Sequence, residues 1–179
     1  MQKTKERLGF SLIEMLIVVG IFSVLAIIIT QTLASSLRSS KKSDNLGKVR
    51  ENVEYAMNYI ERSLRTAKRL DNELPDICDP ADTNNLRFIN SNNVSESFHW
   101  DNTLTHIKYY DATGNQRPIT SNQIRIVAGT AFTCITGTGG EPDTVLVTIT
   151  AQDSSTTTSA ESVKYTATTR ISLRNYSRN

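Results

Sequence analysis

The sequence has no proline before Pro75, only two cysteines and two histidines, and no long apolar run after Ile29 comparable with the one that precedes it. Each scarcity excludes something. Without proline, nothing in the first 74 residues forces a helix to break. With two cysteines and two histidines, no Cys/His spacing supports a zinc site. With a single apolar run, a polytopic membrane protein is excluded. A net charge of +2 with 21% charged residues excludes a highly charged disordered chain. The 179 residues suit one domain, or one domain with a tail.

What is present is segregated. Met15 to Ile29 reads MLIVVGIFSVLAIII, uncharged throughout. Extended to its polar limits it runs from Phe10 to Leu33, which is 24 residues and about 36 Å of helix, enough for a bilayer core of about 30 Å. A mean hydropathy of -0.32 averages this run with a polar remainder. Charge divides in the same way: residues 31–70 carry a net +5 and residues 71–179 a net -4. The pI of 8.6 therefore describes no single part of the chain. A cleaved secretory signal needs a small-x-small end after a shorter core. Here Ala26 is followed by three isoleucines, so the run reads as a retained membrane helix. The positive-inside bias favours a cytoplasmic C-terminal side, because Arg38, Lys41, Lys42, Lys48 and Arg50 outnumber the leader's Lys3, Lys5 and Arg7. The next motif and the cysteines point the other way.

Glu14 lies inside the apolar segment, where an ionised carboxylate is costly unless paired. A position near the helix start, reaching the headgroups, is the plain explanation. Its surroundings supply another. Gly9-Phe10-Ser11-Leu12-Ile13-Glu14, after a short basic leader and before the apolar run, resembles the prepilin signature of type IV pilins and type II secretion pseudopilins. The resemblance covers about the first 35 residues. It implies cleavage by a prepilin peptidase between Gly9 and Phe10 and N-methylation of Phe10. It also implies a contact in which Glu14 of one subunit pairs with the new amine of a neighbour. The physical chemistry is consistent: a glycine lets the scissile peptide lie extended in a narrow cleft, and two charges each costly in an apolar core satisfy one another.

Beyond Leu33 the apolar residues Leu46, Val49, Val53, Met57, Ile60, Leu64 and Ala67 recur at steps of three and four, a single helical stripe. The basic excess of residues 31–70 reads as a solvated helix face, with lipid headgroups or DNA phosphates as the sharper alternatives. Many pilus-forming members of the resembled family carry a proline in the membrane helix. Its absence here fits a minor pilin or a pseudopilin better than a major pilin.

From Asp71 the period changes. Residues 71–85 read as a loop. Strands are expected at Leu86–Asn90, Ser97–Trp100, Leu104–Tyr110, Ile124–Ala128, Val145–Ala151 and Val163–Leu173, with loops at 111–122, 137–143 and 153–161. Val145, Val147, Ile149 and Ala151 share one face, as do Val163, Tyr165, Ala167, Thr169, Ile171 and Leu173, so a half-buried antiparallel sheet must cover the helical stripe. The expected fold class is α+β: a long N-terminal helix, half in the membrane and half amphipathic, packed against an antiparallel β-sheet head. The divisions are 1–9 leader, 10–33 transmembrane helix, 34–70 helical stalk and 71–179 head.

Cys78 and Cys134 are either one bridge, closing 55 intervening residues and stabilising by about 4 kcal/mol, or two buried thiols. Asp76, Asp79 and Asp82, beside Asn84 and Asn85, are solvated loop acids or a calcium loop of the kind some pseudopilins carry, without the EF-hand spacing. No other metal or cofactor is expected. His99, His106 and the scattered serines and aspartates mark no catalytic triad. The resemblance implies a structural subunit and no enzyme. Its partners would be other pilin or pseudopilin subunits, the prepilin peptidase, an inner-membrane assembly platform and lipid. The chain would be single-pass in a bacterial inner membrane with its head outside the cytoplasm, then part of a fibre. Two alternatives remain: a tip, adhesive or DNA-uptake subunit using loops 111–122 and 137–143, and an uncleaved signal anchor carrying an ectodomain.

Overall fold

The computed structural model describes residues 11–71, 84–100, 105–135, 141–154 and 162–173. The chain divides into two compact units, residues 1–41 and 42–179.

In the first unit the described residues are helical from Leu12, within a helix α1 that spans Leu12–Thr66. The Ser11 carbonyl accepts from the Glu14 and Met15 amides at 3.1 and 3.2 Å, starting the helix. Residues 15–29 of it are uncharged and almost wholly apolar on every side, and every described side chain of the unit is exposed. A helix hydrophobic all round normally lies buried in protein or lipid. Three of its hydroxyls are bonded within the helix: Ser23 donates to the Val19 carbonyl at 2.8 Å, Thr30 to Ala26 at 2.8 Å and Thr32 to Ile28 at 2.9 Å. No water is needed to satisfy these three hydroxyl protons. The segment is long and apolar enough to cross a membrane.

In the second unit the remainder of α1 buries Val49, Val53, Ala56, Met57, Ile60 and Leu64. This is the expected stripe with two changes. Ala56 joins it, and Leu46, 41% exposed, lies outside it. The helix ends at Thr66, four residues before the expected limit. The Ala67 amide donates back to the Leu64 carbonyl at 3.1 Å, tightening the last turn, and the Thr66 hydroxyl donates to the Ser63 and Arg62 carbonyls at 3.0 and 3.2 Å.

Two antiparallel sheets follow. The first is a meander of five strands in chain order: β1 (Arg69–Leu70), β2 (Asn85–Ile89), β3 (Ser95–His99), β4 (Lys108–Tyr110) and β5 (Gln116–Pro118). The β2–β3 turn is built by Asn90, whose side-chain oxygen accepts from the Asn92 and Val94 amides, with Asn93 at φ 62°. Asparagine tolerates that conformation better than most residues. The second sheet centres on β8 (Thr144–Asp153). Strand β9 (Lys164–Ser172) pairs with β8 from Thr144 to Gln152 and so occupies one whole edge. Strands β6 (Ile124–Ile126) and β7 (Ala131–Ile135) therefore share the other edge, opposite the two halves of β8. The chain leaves the ladder between them at Val127–Thr130. There Gly129 adopts φ 100°, and the buried Thr130 hydroxyl accepts from the Thr150 amide at 2.9 Å in place of a ladder carbonyl.

Leu86, Phe88, Phe98 and Tyr109 from the first sheet, Phe132, Val145, Val147, Ile149 and Ile171 from the second, and the α1 stripe form one core. The Ile126 amide donates to the Thr105 carbonyl at 3.0 Å and ties β6 to the segment that leads into β4. The alternation expected for β8 and β9 is observed: Val145, Val147, Ile149 and Ala151 are buried, and every even-numbered residue of β9 is exposed. Strands β1, β5 and β7 were not expected. The first lies within the predicted stalk, and the second within the predicted 111–122 loop.

Candidate functional site

The sequence places the chemistry at the start of α1. Glu14 falls in its first turn, where the unpaired amides of a helix N-terminus favour an anion. Its carboxylate is exposed among exposed apolar side chains. Among the described residues the two ion pairs, Arg50–Glu54 and Arg65–Glu61, both lie further along α1. Thus Glu14 has no internal cationic partner among the described residues, while its surroundings call for one in an apolar medium. Gly9 and Phe10 lie outside the described residues.

Residues 5–30 match the family model for the prokaryotic N-terminal methylation motif. This is the signature of type IV pilins and pseudopilins. No curated protein and no solved structure matches the chain. The pilin-type motif supports a precursor that assembles with other pilin-like subunits and is processed by the prepilin peptidase.

The other expected site residues are dispersed. Cys134 is half-buried in β7 opposite Val145, packs against the core and is not a free thiol; Cys78 lies outside the described residues. Asp76, Asp79 and Asp82 lie outside them too. Among the described residues no three His, Cys, Asp or Glu side chains gather as a metal site. His99 contacts the Tyr110 ring edge-on at 6.4 Å, while the His106 Nδ1 lies 3.4 Å from the Thr120 hydroxyl. The two histidines are thus built into separate contacts.

One constellation escaped the sequence reading. Tyr59 of α1 meets Phe98 and Tyr109 edge-on at 6.0 and 5.8 Å. The Arg117 guanidinium lies over the Tyr59 and Tyr109 rings at 5.3 and 4.9 Å and donates to the Tyr59 hydroxyl. Burial, with hydrogen bonding to Glu96, pushes the Tyr109 phenol well above its usual range. The ring therefore remains neutral beneath the cation. No local pattern marks this group, because Arg117 sits on a three-residue strand inside a turn-rich segment and Tyr59 on a helix 58 residues away. Nearby, Asp111 is held below the usual carboxylate range, first by the Thr113 hydroxyl and then by the Thr113 and Asn115 amides. It closes the β4–β5 turn.

Proposed function

We propose that this chain is the precursor of a minor subunit of a type IV pilus or pseudopilus-like fibre. It inserts once in the inner membrane with its head outside the cytoplasm, is cut between Gly9 and Phe10, and is methylated at Phe10. It then polymerises through α1, on an assembly platform in that membrane. Glu14 pairs with the terminal amine of a neighbouring subunit and so sets the stagger between chains. The observation that carries this reading is the methylation motif at residues 5–30, running into a helical stretch, residues 12–33, whose apolar side chains are all exposed. The lack of any proline between residues 10 and 33 supports a minor subunit over a major one. The bonded state of Cys134 supports a bridge to Cys78, since the chain has no third cysteine. In this reading the head needs no cofactor and performs no catalysis.

The test is mass spectrometry of the N-terminus of protein taken from native membranes. The expected species begins at N-methylated Phe10. A chain that retains Met1 and its leader would overturn the reading and favour an uncleaved signal anchor.

A further inference from the structure

Polymerisation through α1 gives no task to a groove in the second unit. A cavity of about 300 Å³ lies between Asn52, Tyr55 and Tyr59 of α1 and the stretch from Arg117 through Ser121. Most of its polar groups are committed. The Asn52 side chain accepts from the Ser121 amide at 3.3 Å and donates to the Lys48 carbonyl at 2.9 Å. The Thr120 hydroxyl accepts from the Ile107 amide at 3.3 Å. Arg117 is different. A guanidinium carries five N–H donors, and its bond inside the protein is to the Tyr59 hydroxyl. Neither ion pair among the described residues involves it, and among the described residues no acidic side chain lines the cavity. Its central carbon lies 5.3 and 4.9 Å from the centroids of two rings that stand at 81° to each other, so the guanidinium is held before any ligand arrives. Tyr55, 62% exposed, adds a free ring and hydroxyl on the helix side.

We propose that this groove binds a small carboxylate with a flat hydroxylated body, of the class of a hexuronic acid residue. A fixed guanidinium matches a carboxylate through two parallel hydrogen bonds. The exposed Tyr55 ring offers an apolar face to the C–H side of a pyranose, and the two tyrosine hydroxyls offer hydrogen bonds to its hydroxyls. The volume is at the lower end of small-molecule sites. One cation is too few for a nucleic-acid backbone, whose binding scales with the number of phosphates neutralised. The site is independent of the fibre reading, because it uses no residue of the N-terminal motif.

The experiment titrates the full chain in detergent micelles with galacturonate, methyl galactoside and acetate, read by saturation-transfer NMR. Galacturonate is expected to receive saturation, with the other two roughly tenfold weaker or more, since each lacks either the charge-assisted bond or the stacked body. Arg117→Gln should weaken galacturonate by a similar factor. Tyr55→Ala, at an exposed position that leaves the core intact, should weaken it severalfold. Circular dichroism checks that both variants keep the wild-type fold. No saturation of galacturonate, equal binding of acetate, or undiminished binding in folded Arg117→Gln and Tyr55→Ala would each overturn the proposal.

Discussion

Phe98→Ala tests whether the helix and the first sheet hold each other in place. Phe98 is fully buried in β3, with ring centroids 5.6 Å from Phe88, 5.5 Å from Tyr109 and 6.0 Å from Tyr59 of α1. Truncating a buried phenylalanine costs about 3–5 kcal/mol through lost transfer energy and the cavity left behind. Three ring contacts place this site toward the upper part of that range. Against a typical total of about 5–15 kcal/mol, the loss is large. With a urea slope of about 2 kcal/mol/M for a unit of this size, the midpoint should fall by about 2 M. Trp100, the sole tryptophan, is buried two residues further along and reports the transition by fluorescence. Amide exchange at Val49 to Leu64 should accelerate together with that of β2 and β3. Thr168→Ala, on the exposed face of β9, should stay within about 0.5 kcal/mol. A midpoint shift under about 0.5 M, or helix amides that keep full protection, would refute the coupling.

Glu14→Ala should leave membrane insertion unchanged while incorporation into fibres, measured by shear-and-blot against membrane-retained protein, drops severely; normal fibres would refute the pairing role. Gly129→Ala should cost about 1–3 kcal/mol in chemical denaturation, because φ is 100° and the new Cβ would meet the Thr150 hydroxyl at 3.2 Å. Reduction of the head should lower stability by about 4 kcal/mol if Cys78 and Cys134 are bridged, and Cys134→Ser should be insensitive to further reductant. The Asp111 carboxyl, followed by NMR, should titrate below the usual aspartate range. Since its folded pKa is depressed, its stabilising contribution is present above the unfolded value and is lost as pH falls through the folded one. Asp111→Asn should remove that step.

The apolar helix and its motif were legible because their signals are local: fifteen uncharged residues in a row, and a glycine five positions before an acid. Strands β8 and β9 were legible because Val145–Ala151 and Val163–Leu173 alternate cleanly. The strands that escaped are short and paired by context. Gln116–Pro118 is exposed at all three positions, so no buried face could announce it, and a proline argues against a strand in any window. Arg69–Leu70 belongs to a helical pattern by sequence and becomes a strand only because Ile89 and Phe88 stand opposite. In Ala131–Ile135 the buried residue is Phe132, with Cys134 half-covered, too little for a period-two reading. The Arg117 groove was illegible for a related reason: its two sides are brought together by tertiary packing alone.

Pro118 has a consequence for assembly. It stands opposite Lys108, one step before Ile119, whose amide donates to the Ile107 carbonyl at 2.9 Å. In an antiparallel ladder neighbouring residues turn their peptide groups in opposite directions, so the Pro118 nitrogen points away from β4, toward where a sixth strand would dock. It has no hydrogen to offer there. At the far side of the sheet, β1 is only two residues long. In the fibre proposed above, a monomer must stay unattached to its neighbours until the correct contact is made. A blunted margin of this kind discourages head-to-head annealing of strands and leaves helix-to-helix joining without a competitor from this sheet.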